Sequence, residues 1–187
     1  MSELGFRIGC AGISTSWSRQ GPVARVARHL AGQNRTLTVA INELEREITG
    51  LVTELTPNLL ALVGCGALTA AKLVGEVAGI ERFRSRGAFA MHNGTAPIPV
   101  WSGNNDRHRL NRGGNRQINA ALHRIAVTQL QHHTPAIAYA ERRTASGDTK
   151  TEAIRALRRR ISDAVYGCLM ADERMQQGLR SAIPAAA

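Results

Sequence analysis

The stretch "LLALVGCGALTAAKLVGEV", residues 59–77, decides the fold. An apolar turn of helix runs into Gly-Cys-Gly, and a second amphipathic helix follows with the small Ala70 three positions beyond its start. This is the helix-hairpin-helix pattern. Gly64 and Gly66 permit a tight turn and let backbone N–H groups approach a phosphate, and the N-terminus of the second helix favours its charge. Lys72 on that helix, with Arg84 and Arg86 in the neighbouring "ERFRSRG", adds cations close by in the sequence. Such contacts hold a nucleic-acid backbone without reading its sequence. The same residues would also suit an αα-hairpin that serves only the core.

Outward from the hairpin the 3.6-residue spacing recurs, and no sustained alternation of β-branched residues marks a strand. The expected class is mostly α, with little or no sheet. Upstream, Leu37, Ile41, Leu44, Ile48, Leu51 and Leu55 alternate steps of four and three, an a/d seam that Pro57 ends. A stripe this short reads as one helix of an intramolecular bundle. The alternative is a dimer-forming helix, which predicts a homo-oligomer through residues 37–55. Downstream, one helix is expected over 114–133 with Ile118, Leu122 and Ile125 inward. Another is expected over 149–170 with Ile154, Leu157, Ile161, Val165 and Cys168 inward, and a short one starts at Pro135. The organisation expected is a disordered segment at 1–21, a helical coiled-coil linker at 22–56, a domain at 57–172 and a flexible tail at 173–187.

The chain has 187 residues, enough to bury a core, and 24 Lys plus Arg against 14 Asp plus Glu give a net charge of +10. That balance points to a polyanionic partner. All the basic residues except Lys72 and Lys150 are Arg, whose planar fork suits phosphate oxygens, although a GC-rich genome produces the same skew. No uncharged run is long enough to span a bilayer and no secretory signal opens the chain, so the expectation is a cytoplasmic protein that does not engage membranes. Three widely spaced cysteines, Cys10, Cys65 and Cys168, form neither a disulfide framework nor a zinc knuckle, and the adjacent His132 and His133 diverge on a helix. No metal site is expected.

The candidate chemistry lies at 94–116, a loop that carries Ser102-Gly103, then Arg107, His108, Arg109, Arg112 and Arg116. Gly113-Gly114-Asn115 precedes a helix whose free N–H groups form a second anion site. A serine can attack a phosphodiester in line, but its hydroxyl needs help with its proton, and the phosphate oxygens need cations. The arginines supply only the second. His108 is a candidate general acid or base, and equally a phosphate contact. On the last long helix, Arg155 and Arg159 of "RALRRR" share the face away from the apolar stripe, where they can meet phosphates or solvent. Tyr139 or Tyr166 could serve a tyrosine recombinase, but that chemistry wants His-x-x-Arg, and His108 is followed three positions on by Asn111.

Taken in order, "LVGCGALTAAKLVGEV" at 62–77, "RFRSRGAFAMHNGTAPIPVWSG" at 82–103 and "RHRLNRGGNRQINAALHRIAV" at 107–127 resemble the C-terminal domain of the insertion-sequence 110/116/902 family of transposases. The resemblance runs from about residue 35 to 172. It implies a DNA recombinase whose serine, here Ser102, joins covalently to DNA. It also implies a separate ribonuclease-H-like domain whose acids bind divalent metal (Mg), a structured guide (bridge) RNA as a further partner, and an assembling coiled coil matching residues 37–55. The sequence departs from that pattern upstream, where no Asp precedes Asp106 and no strand pattern precedes the heptads. The expectation is therefore a truncated or separately encoded half that uses no cofactor of its own, binds DNA through its charge, and does not recombine unaided. The competing reading is a non-catalytic helix-hairpin-helix module for DNA or RNA.

Overall fold

The computed structural model describes residues 21–102 and 105–182, so the expected segment 1–21, with Cys10, lies outside the described residues except for Gly21. The chain divides into two units, the first ending at Leu44 and the second starting at Glu45. Helix α1 spans Pro22–Leu55. In the first unit the seam residues Leu37, Ile41 and Leu44 are all more than half exposed, at 62%, 59% and 57%. In the second, Leu51 and Leu55 are exposed as well, while Val52, one position off the seam, is buried in the core and the seam residue Ile48 packs half-buried against it. The expectation of an intramolecular bundle along the heptad is therefore corrected. Apart from Ile48, the seam residues stay exposed.

The second unit is helical with one antiparallel hairpin: α2 (Pro57–Leu60), α3 (Ala67–Val77), α4 (Arg86–His92), β1 (Ile98–Ser102), β2 (Asn105–Arg109), α5 (Arg116–His132), α6 (Thr134–Ala145) and α7 (Lys150–Ala182). The mostly α class holds, with those two strands as the sheet among the described residues. Proline at position 57 stops α1 by removing a helix donor, and it then starts α2 in the first turn, where that donor is not needed. The free N–H groups of this start are met from far along the chain. The buried Asp172 carboxylate on α7 accepts from the Asn58 backbone N–H at 2.9 Å, the Asn58 side chain at 2.8 Å and the Leu59 N–H at 3.2 Å.

Helix α7 is the spine, packing on α2, α4, α5 and α6, while α3 packs on α5. Ile118, Leu122 and Ile125 of α5 are fully buried, as their spacing predicts. On α7 the buried stripe is Ala153, Leu157, Ile161, Val165 and Leu169, so the expected inward Ile154 and Cys168 sit at its half-buried edge. The tail expected to be flexible from 173 continues as helix to Ala182. A capping box opens α7: Glu152 accepts from the Thr149 N–H at 2.9 Å and hydroxyl at 2.6 Å, while Thr149 accepts from the Glu152 N–H at 3.3 Å. Among the described residues no helix is long and apolar enough to cross a membrane.

Candidate active site and nucleic-acid interface

The segment expected to be a loop at 94–116 is in large part a hairpin, with Ile98 opposite Arg109 and Ser102 opposite Asn105. Ser102 is thus the last residue of β1. Its side chain and those of Arg107 and His108 lie outside the described atoms, as do residues 103–104. The base of the hairpin is fixed by backbone packing. Gly94 has φ +75°, and a Cβ on Gly114 would come within 2.3 Å of the Gly94 nitrogen, so neither position accepts a larger residue without movement. The Asn115 backbone N–H donates to the His92 carbonyl at 2.7 Å, and the Asn111 side chain donates to the Met91 carbonyl at 2.9 Å. The end of α4 and the start of α5 are clamped side by side, and the hairpin projects from between them.

Beneath the clamp runs a buried polar chain that the sequence did not disclose. Asn93, fully buried, donates to the Ser162 hydroxyl at 2.7 Å and accepts from the Thr95 N–H at 3.0 Å and hydroxyl at 2.7 Å. The Asn93 carbonyl accepts from Asn119 at 2.8 Å, and Asn119 in turn accepts from Arg158 at 2.9 Å. Burial first, then the adjacent Arg155 and Arg116, pushes the Arg158 guanidinium below its ordinary value. Arg116 and Arg155 are thereby marked as neighbours in one cationic cluster. The Asn-Gly pair at 93–94 signals a turn, but no local signal indicates a partner on α7.

Against this frame opens a cleft of about 420 Å3, lined by Gly94 to Pro97 and by Arg109 to Asn111 on the hairpin side. Arg143, Asp148, Glu152, Arg155, Ala156 and Arg159 line the other side. The acids in it are already occupied. Asp148 pairs with Arg143, and Glu152 holds Thr149, which together with Arg155 and Arg143 keeps its carboxyl below the usual range. Arg159 pairs with Asp163. Arg109 and Arg155 make no ion pair with a described residue. Two guanidiniums without an ion pair to a described residue, Arg109 and Arg155, thus line one groove at the base of the hairpin beside the paired Arg143 and Arg159, an arrangement able to hold the oxygens of a backbone phosphate.

The other expected site residues are placed differently. Gly64 has φ +85°, and a Cβ there would meet the Ile125 carbonyl at 3.1 Å and the Thr128 Cβ at 3.3 Å, so this glycine seats the turn against α5. Gln129 of α5 locks the turn by donating to the Val63 carbonyl at 2.7 Å. Gly66, at the α3 N-cap, is exposed with open space around it, and it is the position where backbone N–H groups remain accessible. Lys72 is half-buried on α3, while Arg84, Arg86, Arg112 and Arg116 are exposed. Asn115 is a helix cap: its Oδ1 accepts from Gln117 and Ile118 at 2.9 and 3.1 Å, and its amide donates to Glu76 at 3.0 Å. The Tyr166 hydroxyl donates to the Phe83 carbonyl at 3.1 Å, which gives it a structural task.

Residues 56–143, which hold the turn, the clamp, the hairpin and α5, match the family described as "Transposase IS116/IS110/IS902 family". A Streptomyces coelicolor protein described as "Insertion element IS110 uncharacterized 43.6 kDa protein" is 33% identical over 123 residues. Residues 56–143 are thus a segment of the IS116/IS110/IS902 transposase family. The aligned part is 64% of this chain and 30% of the Streptomyces protein, so the chain spans under a third of that relative. The transposase-family segment ends at residue 143, so Arg143 lies at its boundary and Arg155 and Arg159 come from beyond it.

A divalent metal fits nothing among the described residues, where no three His, Cys, Asp or Glu side chains cluster to hold one. The two described cysteines are equally unsuited. Burial, and then Cys168, pushes the Cys65 thiol up to about 12, and burial and Asp172 push Cys168 up as well. Both remain protonated thiols.

Proposed function

We propose that the chain supplies the serine-carrying, DNA-binding part of a transposase, and that Ser102 is its nucleophile. The Ser102 oxygen attacks the phosphorus of a DNA strand, the bond from phosphorus to the leaving sugar oxygen breaks, and that oxygen takes up a proton. The serine proton passes to a base. The phosphoserine link keeps the energy of the broken ester for rejoining. Arg109 and Arg155 hold a phosphate of the bound strand in the cleft at the base of the hairpin, while Arg107, Arg112, Arg116, Arg84, Arg86, Lys72 and the α3 N-terminus at Gly66 hold flanking backbone.

The observation that carries this reading is the arginine-lined cleft at the base of the strand that ends in Ser102. The acidic metal set of the family is supplied by another polypeptide or another part of the protein, so residues 21–182 alone bind DNA and do not recombine it. A guide RNA is a second polyanion that the same charge would hold, and the exposed seam of α1 is where two copies would assemble. These points rest on the family and the charge.

A DNA substrate whose released strand diffuses away, offered together with a full-length family member, should trap a covalent adduct on this chain that Ser102→Ala abolishes. An adduct that survives Ser102→Ala overturns the assignment. Salt-sensitive DNA binding with no adduct under any condition favours the non-catalytic module instead.

A further inference from the structure

A second cavity, of about 380 Å3, lies between the residues after α2, the end of α5, and helices α6 and α7. Its floor is apolar, formed by Leu62, Leu157 and Ile161. Its polar groups are few. The Arg160 guanidinium lies 4.5 Å from the centre of the Tyr139 ring, Arg142 stands on the same helix as Tyr139, and neither arginine makes an ion pair with a described residue. Beside them and Gln129 stands His133, whose Nδ1 is buried with no hydrogen-bond partner among the described residues. Its ring does not cap α6, although its backbone starts that helix. A buried nitrogen without a partner is costly unless something else satisfies it.

We propose that this cavity receives an unstacked nucleobase of a bound single strand. A nucleotide unites the features on view: a flat ring for the apolar floor and the Tyr139–Arg160 stack, an edge with donors and acceptors for His133, and flanking phosphates for two guanidiniums. The location supports it. Leu62 lies two residues before Gly64, and Gln129 both lines the cavity and holds the Val63 carbonyl, so the cavity adjoins the turn that leads to the free α3 N-terminus. A strand whose backbone rests on that terminus has a base within reach of the cavity. The inference rests on the nucleic-acid reading above.

The test compares binding of the full chain to a short oligothymidylate and to an abasic deoxyribose-phosphate chain of equal length. Thymidylate should bind about tenfold more tightly, the effect expected for stacking one base on an aromatic group. Tyr139→Ala, and separately Ala164→Phe, which fills the cavity from α7, should erase that preference and leave abasic binding unchanged. Tyr139→Phe keeps the ring and should retain the preference. Equal affinity of the two chains for the unaltered protein overturns the base pocket while leaving the nucleic-acid reading intact. Failure to bind either chain overturns both.

Discussion

Gly114 and Gly94 meet backbone to backbone: a Cβ on Gly114 would lie 2.3 Å from the Gly94 nitrogen and 2.5 Å from its Cα. No flexible side chain is available to give way, so α5 and the end of α4 would have to separate. Gly114→Ala should therefore destabilise the protein by about 2–3 kcal/mol, the scale of overpacking in a closed site. At Gly113 a Cβ would meet only the Asn111 Oδ1, at 3.7 Å, an ordinary contact. Gly113→Ala should be nearly neutral. Urea midpoints of the two variants decide the matter, and equal midpoints would show that the clamp is not what holds the hairpin.

Asp172 on α7 and Asn58 at the start of α2 are 114 residues apart in sequence and joined by two hydrogen bonds. Removing the carboxylate leaves the buried Leu59 N–H and the part-buried Asn58 N–H without their acceptor. Asp172→Ala should lower stability by about 2–4 kcal/mol, the combined effect of lost charged hydrogen bonds and stranded donors. Asp172→Asn retains one acceptor and should lose less. Thermal melts of both variants test the order, and a melting temperature unchanged in Asp172→Ala would refute the cap.

The helices were legible because each carries its own signal. Ile118, Leu122 and Ile125 repeat at helical spacing and are buried, and Pro57 and Pro135 mark starts that the fold uses. On α7 the spacing of Leu157, Ile161 and Val165 gives the buried stripe, and only its ends differ, where Ala153, too small to stand out, and Leu169 take the inner positions in place of Ile154 and Cys168. The hairpin has no signature in the sequence because β2, "NDRHR", carries no apolar alternation. The heptad named the right residues and the wrong surroundings, because apolar spacing states what a helix can bury and not whether a partner lies within the chain. In the site, arginine abundance pointed to phosphate. That Arg109 shares a cleft with Arg143, Arg155 and Arg159, whereas Asn115 is occupied as a cap, depends on contacts across the chain that no local pattern encodes.

Arg155 and Arg158 are three residues apart and should behave differently. Arg155 lines the cleft without an ion pair to a described residue, and Arg155→Ala should weaken DNA binding for all sequences and reduce the slope of log affinity against log salt by about one. Stability should hardly change. Arg158 donates to Asn119 within the polar chain beneath the hairpin, so Arg158→Ala should lower stability first. Salt titrations of DNA binding alongside melts separate the two. An unchanged salt slope in Arg155→Ala would remove it from the interface.

His92 accepts from the Arg82 guanidinium at 3.3 Å, and its ring lies 5.1 Å from that of Phe83. Burial, reinforced by the Arg82 charge, lowers its pKa from the ordinary 6.5. A histidine depressed in the folded state binds its proton more readily when unfolded, so between the two values the unfolded chain holds more protons and stability rises with pH. The His92 contribution is thus full above about 6.5 and is lost as pH falls through the lower folded value. His92→Gln keeps an acceptor for Arg82 and cannot titrate. Stability measured from pH 7 to 5 should fall less steeply in that variant than in the unaltered chain, and identical slopes would show that His92 charges freely in the folded state.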